Sequence, residues 1–159
     1  MELIKMKPSR KKPKEGDVFI IQSKEDLYFY GKVIRTEIPS KNIMVNGWNL
    51  IYVYKKVSKN IMMPDCLDVN ELLIPPQIVN NQGWLKGYFQ TIGSLPVTDE
   101  DKSINYGFFD FKTKKYVDEE GQPLGYKPEM WVDYGIGSYG SVAADIKAAL
   151  ENYPNSLAP

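Results

Sequence analysis

The 159 residues predict a mainly β, α+β fold: a strongly bent antiparallel sheet or partial SH3-like barrel with a C-terminal helix packed on it. Three observations carry that expectation. Eleven Tyr, six Phe and three Trp make the chain 13% aromatic, and these residues suit a pleated, half-buried surface. Short runs with a two-residue alternation are separated by Gly, Asn and Pro turn signals. Only the stretch after Ser141 combines a helical apolar repeat with a capping residue.

Residues 1–13 read as a basic N-terminal arm and residues 14–159 as one β-rich domain. The arm carries Lys5, Lys7, Arg10, Lys11, Lys12 and Lys14 at its end, broken by Pro8 and Pro13. It is expected to be poorly ordered, a solvated leader or a strand lying on a sheet edge, with phosphate binding as the sharper alternative. Asp17 to Gln22 is a continuous apolar run behind a Gly-Asp turn, as in a strand buried on both faces. Ser23 to Asp26 makes a hairpin connection. From Leu27 to Arg35 the chain alternates: Leu27, Phe29, Gly31 and Val33 face one way, Tyr28, Tyr30, Lys32 and Ile34 the other. Gly31 inside that strand marks a bulge or bend.

Asn46-Gly47 is a turn and Leu50 to Lys56 a third strand. Pro64, Pro75 and Pro76 forbid a continuous helix or central strand between them, leaving Asp68 to Leu73 as one helical turn. Asn80 to Gly83 turns into a strand over Trp84 to Gly93. Tyr106 to Phe111 and Lys115 to Val117 form a hairpin across Lys112 to Lys114, and Met130 to Tyr134 is a further strand. In the final helix, capped by Ser141, the residues Val142, Ile146, Ala149/Leu150 and Tyr153 make one apolar stripe, and Pro154 ends it.

Composition narrows the chemistry. No histidine means no Ser-His-Asp or Cys-His nucleophile and no histidine metal site. Cys66 alone makes no intrachain disulfide and no CxxC pair. Gly135 to Gly140 spells GxGxxG between a strand and a helix, but no second strand or ribose-binding acid follows, so it reads as a strand-to-helix turn. Adjacent acids at 99–101 and 118–120 lack the apolar setting a glycosidase acid needs. Aromatics beside Lys32, Lys55, Lys56 and Lys86 offer base stacking in a small barrel, and a nucleic-acid-binding protein using the basic arm is the alternative function.

The net charge of zero hides a split: residues 1–60 hold 13 basic and 6 acidic side chains, a net of +7, and residues 61–159 hold 7 and 14, a net of −7. Met1 to Lys7 has no apolar h-region and no run reaches the length of a membrane span, so the expected compartment is the cytoplasm, with no membrane partner.

Gly16-Asp17-Val18-Phe19, followed by Tyr28-Phe29-Tyr30-Gly31-Lys32-Val33-Ile34, resembles the N-terminal signature of the immunity protein 26 family of bacterial polymorphic toxin systems. The strand ending at Ile92-Gly93 is similar to that family's middle motif, and Lys32 stands where Arg is more usual. The resemblance implies a non-enzymatic immunity protein that neutralises a cognate toxin domain by direct binding. It implies no catalytic residue, cofactor or metal, and the matching motif residues read as structural. Many toxins attack nucleic acids through basic grooves, which an acidic surface with aromatic anchors would match. The expected partner-binding residues are therefore Asp99, Glu100, Asp101, Asp118, Glu119, Glu120, Asp133, Tyr134 and Tyr139. Charge reversal at Glu119 and Glu120 is expected to leave the thermal melt nearly unchanged.

Overall fold

A computed structural model of the chain describes residues 2–152. Its frame is an antiparallel meander: β1 (Asp17–Lys24), β2 (Leu27–Arg35) and β3 (Asn49–Ser58). Two short strands extend it, β4 (Gln77–Val79) beside β3 and β5 (Gln90–Ser94) beside β1, giving the order β4-β3-β2-β1-β5. Register shifts at Val18/Phe19, Gln22/Lys24, Phe29/Gly31 and Val33/Arg35 bend the strands, but β4 and β5 never pair. The bent sheet is present and no barrel closes.

Every residue from Val18 to Ile21 is fully buried, because both faces of this sheet are covered. The alternation of β2 divides the core as expected. Tyr30 and Ile34 join Val18, Ile20, Leu50, Tyr52 and Tyr54 on one side; Phe29 and Val33 join Phe19, Ile21, Ile51 and Val53 on the other. The first side is covered by a second sheet, formed by β6 (Tyr106–Asp110), β7 (Lys115–Val117) and β8 (Met130–Asp133) in the order β7-β6-β8. The second side is covered by α1 (Gln82–Lys86) and α3 (Tyr139–Asn152). The architecture is thus three layers: small sheet, large sheet, helices.

Gly31 has a packing reason beyond the bend. A Cβ there would overlap the ring of Phe19, which lies over the glycine and is held by Trp84 and Phe89 at centroid distances of 5.1 and 5.0 Å.

Four local expectations change. Trp84 to Gly93 is not one strand: Gln82 to Lys86 is helical, and Gly87, at φ +83°, caps that turn in the left-handed region before β5 begins at Gln90. Asp68 to Leu73 is not helical, since the Asp68 side chain accepts from Asn70 N–H (2.9 Å) and its carbonyl from Glu71 N–H (3.0 Å), closing a turn that leads Leu72 into a bridge with Tyr54. Helix α3 starts at Tyr139, and Ser141 serves it from within the first turn by accepting from Ser138 N–H at 2.9 Å. Val142 and Ile146 are buried as the apolar stripe requires, while Tyr153 and Pro154 lie outside the described residues.

The basic N-terminal segment is also not free. Ile4 N–H donates to Gln22 O and Met6 N–H to Gly87 O, each at 2.8 Å, and Ser9 N–H donates to Trp84 O at 3.0 Å. Pro13 is buried. The segment is a strap across the end of β1 and along α1.

Candidate protein-docking face

The acidic residues singled out by the sequence do different jobs. Asp101 is in α2 (Asp99–Lys102), where its carboxylate accepts from Thr98 N–H at 2.9 Å while Thr98 Oγ1 accepts from Asp101 N–H, a complete capping box. The same carboxylate pairs with Lys32 Nζ at 2.9 Å, and the two side chains are only 7% and 4% exposed. Asp101 is therefore a core ion-pair residue rather than part of a surface, and Lys32 holds it in place of meeting a base. Asp99 and Glu100, in the same helical turn, are exposed.

The second acidic run is half internal. Glu119 accepts from Tyr106 OH at 2.8 Å, and Arg35 bridges Glu119 and Glu120 at 3.3 and 2.8 Å. Burial opposes the Arg35 charge, but the hydrogen bonds and charges of Glu120 and Glu119 outweigh it and raise its pKa. Asp118 folds back on its own loop, accepting from Glu120 N–H and Gln122 N–H at 2.9 Å each. Both acidic runs converge on one tyrosine pair, Tyr52 buried and Tyr106 half-buried: Tyr52 OH donates to Asp101 O at 2.8 Å, and the Tyr52 ring meets Tyr106 edge-on at 6.3 Å. Burial first, then the neighbouring carboxylates, push the pKa values of Tyr52 and Tyr106 well above the usual tyrosine value.

The remaining three residues separate. Tyr134 is half-buried, donating to Glu119 O at 3.0 Å and sharing a 2.6 Å hydrogen bond with Ser40. Burial raises its pKa, with the Ser40 hydrogen bond opposing. Tyr139 stands on the helical layer, across the large sheet, stacked on Tyr88 at 4.5 Å beneath Lys86 Nζ. Asp133 is exposed on β8. The nine residues do not form one patch.

What the chain does expose together is aromatic. In the small sheet the inner residues Tyr106, Phe108, Val117 and Val132 pack on the core. Strand alternation then turns Phe109, Tyr116, Trp131 and Asp133 outward, and the register places Phe109 opposite both Tyr116 and Asp133. Phe109 lies 5.2 Å from Phe111, 5.3 Å from Tyr116 and 6.0 Å from Trp131, and Tyr116 lies 5.4 Å from Trp131. Phe111 is 59% exposed and Trp131 37%. Lys114 Nζ sits 5.4 Å over the Phe111 ring, and an apolar notch of about 430 Å³ between Tyr116, Pro123 and Tyr126 extends the face on one side. Trp131 and Asp133 border a groove of similar volume on the other, where burial raises the pKa of Asp145 against a Gln77 hydrogen bond.

The expected partner-binding set contains none of Phe109, Phe111, Tyr116, Tyr126 and Trp131. The parity of β6 and β7 held that signal: Phe109 and Tyr116 alternate with the buried Phe108 and Val117. The partnership with Trp131 needed the parallel pairing of β6 with β8, which no local pattern announces.

Fold and surface together define a three-layer β-rich domain whose exposed aromatic side chains, Phe111, Tyr126 and Trp131, gather on or beside the outer small sheet. The chain belongs to the immunity protein 26 family, whose model matches residues 14–116. That match spans the large sheet, α1, α2 and β6 and ends within β7, so Phe109, Phe111 and Tyr116 lie inside it and Trp131 and Asp133 outside. No curated protein and no solved structure matches the chain. Among the described residues, no helix is long and apolar enough to cross a membrane.

Proposed function

We propose that this immunity-family chain neutralises a cognate toxin domain by direct contact, and that the contact is centred on Phe109, Phe111, Tyr116 and Trp131. The observation that carries the proposal is the four-ring cluster, with Phe111 and Trp131 exposed, on the face of the small sheet turned away from the core. Rigid aromatic side chains lose little entropy on docking and dominate binding energy when a partner desolvates them. Asp133 and the half-exposed Glu120 form an acidic rim, with Asp118 and Tyr134 behind it as supports. A rim of that sign steers a basic partner and sets specificity more than affinity. The role requires occlusion of the toxin and no chemical step by this chain, and it is exercised in the cytoplasm of the cell that makes both proteins.

The test is co-expression with the toxin domain encoded beside it. Cells survive with the wild-type chain and die with the Phe111→Ala/Trp131→Ala variant, while the variant's thermal melt stays near that of the wild type. Full rescue by the double variant removes this face from the proposal.

A further inference from the structure

The N-terminal strap and the edge strand β5 enclose a groove of about 830 Å³. Lys7, Lys11, Lys12 and Lys14 line it. Among the described residues none of these four forms an ion pair, and the one acidic side chain in the lining, Asp17, is engaged by Lys14 N–H at 2.9 Å. The groove thus carries a concentrated, uncompensated positive charge.

Its other component is backbone. β5 is the outermost strand, paired with β1 on one edge only. The strap bonds to Gln22, Gly87 and Trp84 and never to β5, and no other hydrogen bond reaches Gln90 to Ser94 among the described residues. An edge of this kind presents alternate N–H and C=O groups ready to accept one more strand. Lysines are a common guard on such edges, because they repel casual pairing with neutral or basic segments. They do the opposite to an acidic one.

We propose that this groove takes an extended, Asp/Glu-rich polypeptide segment of a partner protein, which adds to β5 as a sixth strand while its carboxylates meet Lys7, Lys11 and Lys12. Open edge and lysine lining point to the same occupant: the edge asks for a peptide backbone, and the lysines ask for negative charge. A nucleic acid satisfies only the second, and no exposed aromatic lines the groove to stack its bases. The inference is independent of the aromatic face on the small sheet.

Three fluorescent probes test it by anisotropy: a peptide alternating Glu and Val, the same peptide with its backbone N-methylated, and an oligothymidylate of equal charge. The Glu-Val peptide binds the full chain, and its binding weakens as salt screens the lysines. N-methylation keeps the charges, removes the strand donors and weakens binding at least tenfold. The Lys7→Glu/Lys11→Glu/Lys12→Glu variant, at an unchanged melt, weakens the parent peptide by roughly tenfold or more. Equal binding of the N-methylated peptide, tighter binding of the oligothymidylate, or no peptide binding overturns the proposal. All three of these outcomes are read on the wild-type chain and do not depend on how the variant folds.

Discussion

Removing either partner of the Lys32–Asp101 pair should cost more than removing both. The two charges are 2.9 Å apart, and the side chains are 4% and 7% exposed. Lys32 Nζ has one further acceptor, Pro96 O at 2.8 Å, and Asp101 has Thr98 N–H; neither carries a charge. Asp101→Asn leaves an ammonium in the core without its counter-ion but retains a side-chain oxygen to cap α2. Lys32→Met leaves the carboxylate instead. Each single change therefore strands a buried charge, at a cost of about 3–5 kcal/mol. For a chain of this size that corresponds to a fall of roughly 6–20 °C in melting temperature. The Lys32→Met/Asp101→Asn double variant strands no charge, so it should melt above both single variants. Urea titration of the four proteins, read by tryptophan fluorescence and by circular dichroism, completes the cycle. A double variant no more stable than the worse single, or an Asp101→Asn cost below about 1 kcal/mol, would refute the reasoning.

Three further outcomes follow from the core. Gly31→Ala drives a Cβ into the Phe19 ring, which Trp84 and Phe89 prevent from yielding, and should cost about 1–3 kcal/mol in a urea melt. Tyr52→Phe removes the donor to Asp101 O and should cost about 1 kcal/mol or more, whereas Tyr54→Phe deletes a buried hydroxyl with no partner among the described residues and should be close to neutral; equal costs would contradict the hydrogen-bond assignment. Burial, with Glu119 and Asp101 adding to it at Tyr52, Asp101 at Tyr54 and Glu119 at Tyr106, raises the pKa of all three above the ordinary 10.0. Above that pH the unfolded chain loses protons that the folded one retains, so the stability these groups contribute is complete below pH 10 and is lost as pH rises beyond it. Tyrosinate absorbance should show these three rings titrating only with unfolding; all eleven tyrosines ionising together in a chain that keeps its circular dichroism would count against their burial.

The large sheet was legible because both of its signals are local. The unbroken run Val18 to Ile21 announces a strand buried on two faces, and the parity of Leu27 to Ile34 assigns each side chain to the correct half of the core. The region from Trp84 to Gly93 was misread because its apolar content fits a strand as well as a helix, and the deciding feature is a single left-handed glycine at 87. The acidic runs misled more seriously. Adjacent carboxylates look like solvated surface, yet Asp101 meets Lys32 from 69 residues away and Glu119 meets Arg35 from 84. Such partners are invisible to any local pattern, and they make Glu119 a support of Tyr106, so charge reversal at Glu119 and Glu120 should disturb the fold as well as the rim. The docking face failed to appear for the same reason: its rings come from three strands, one of them parallel to its neighbour.

The most direct measurement is the affinity of the purified chain for its cognate toxin domain, by titration calorimetry, with and without Trp131→Ala. A one-to-one complex that weakens at least tenfold in the variant, with the melt unchanged, is the predicted result. A toxin domain that binds the variant as tightly as the wild type, or binds neither, contradicts the assignment of this aromatic face to neutralisation.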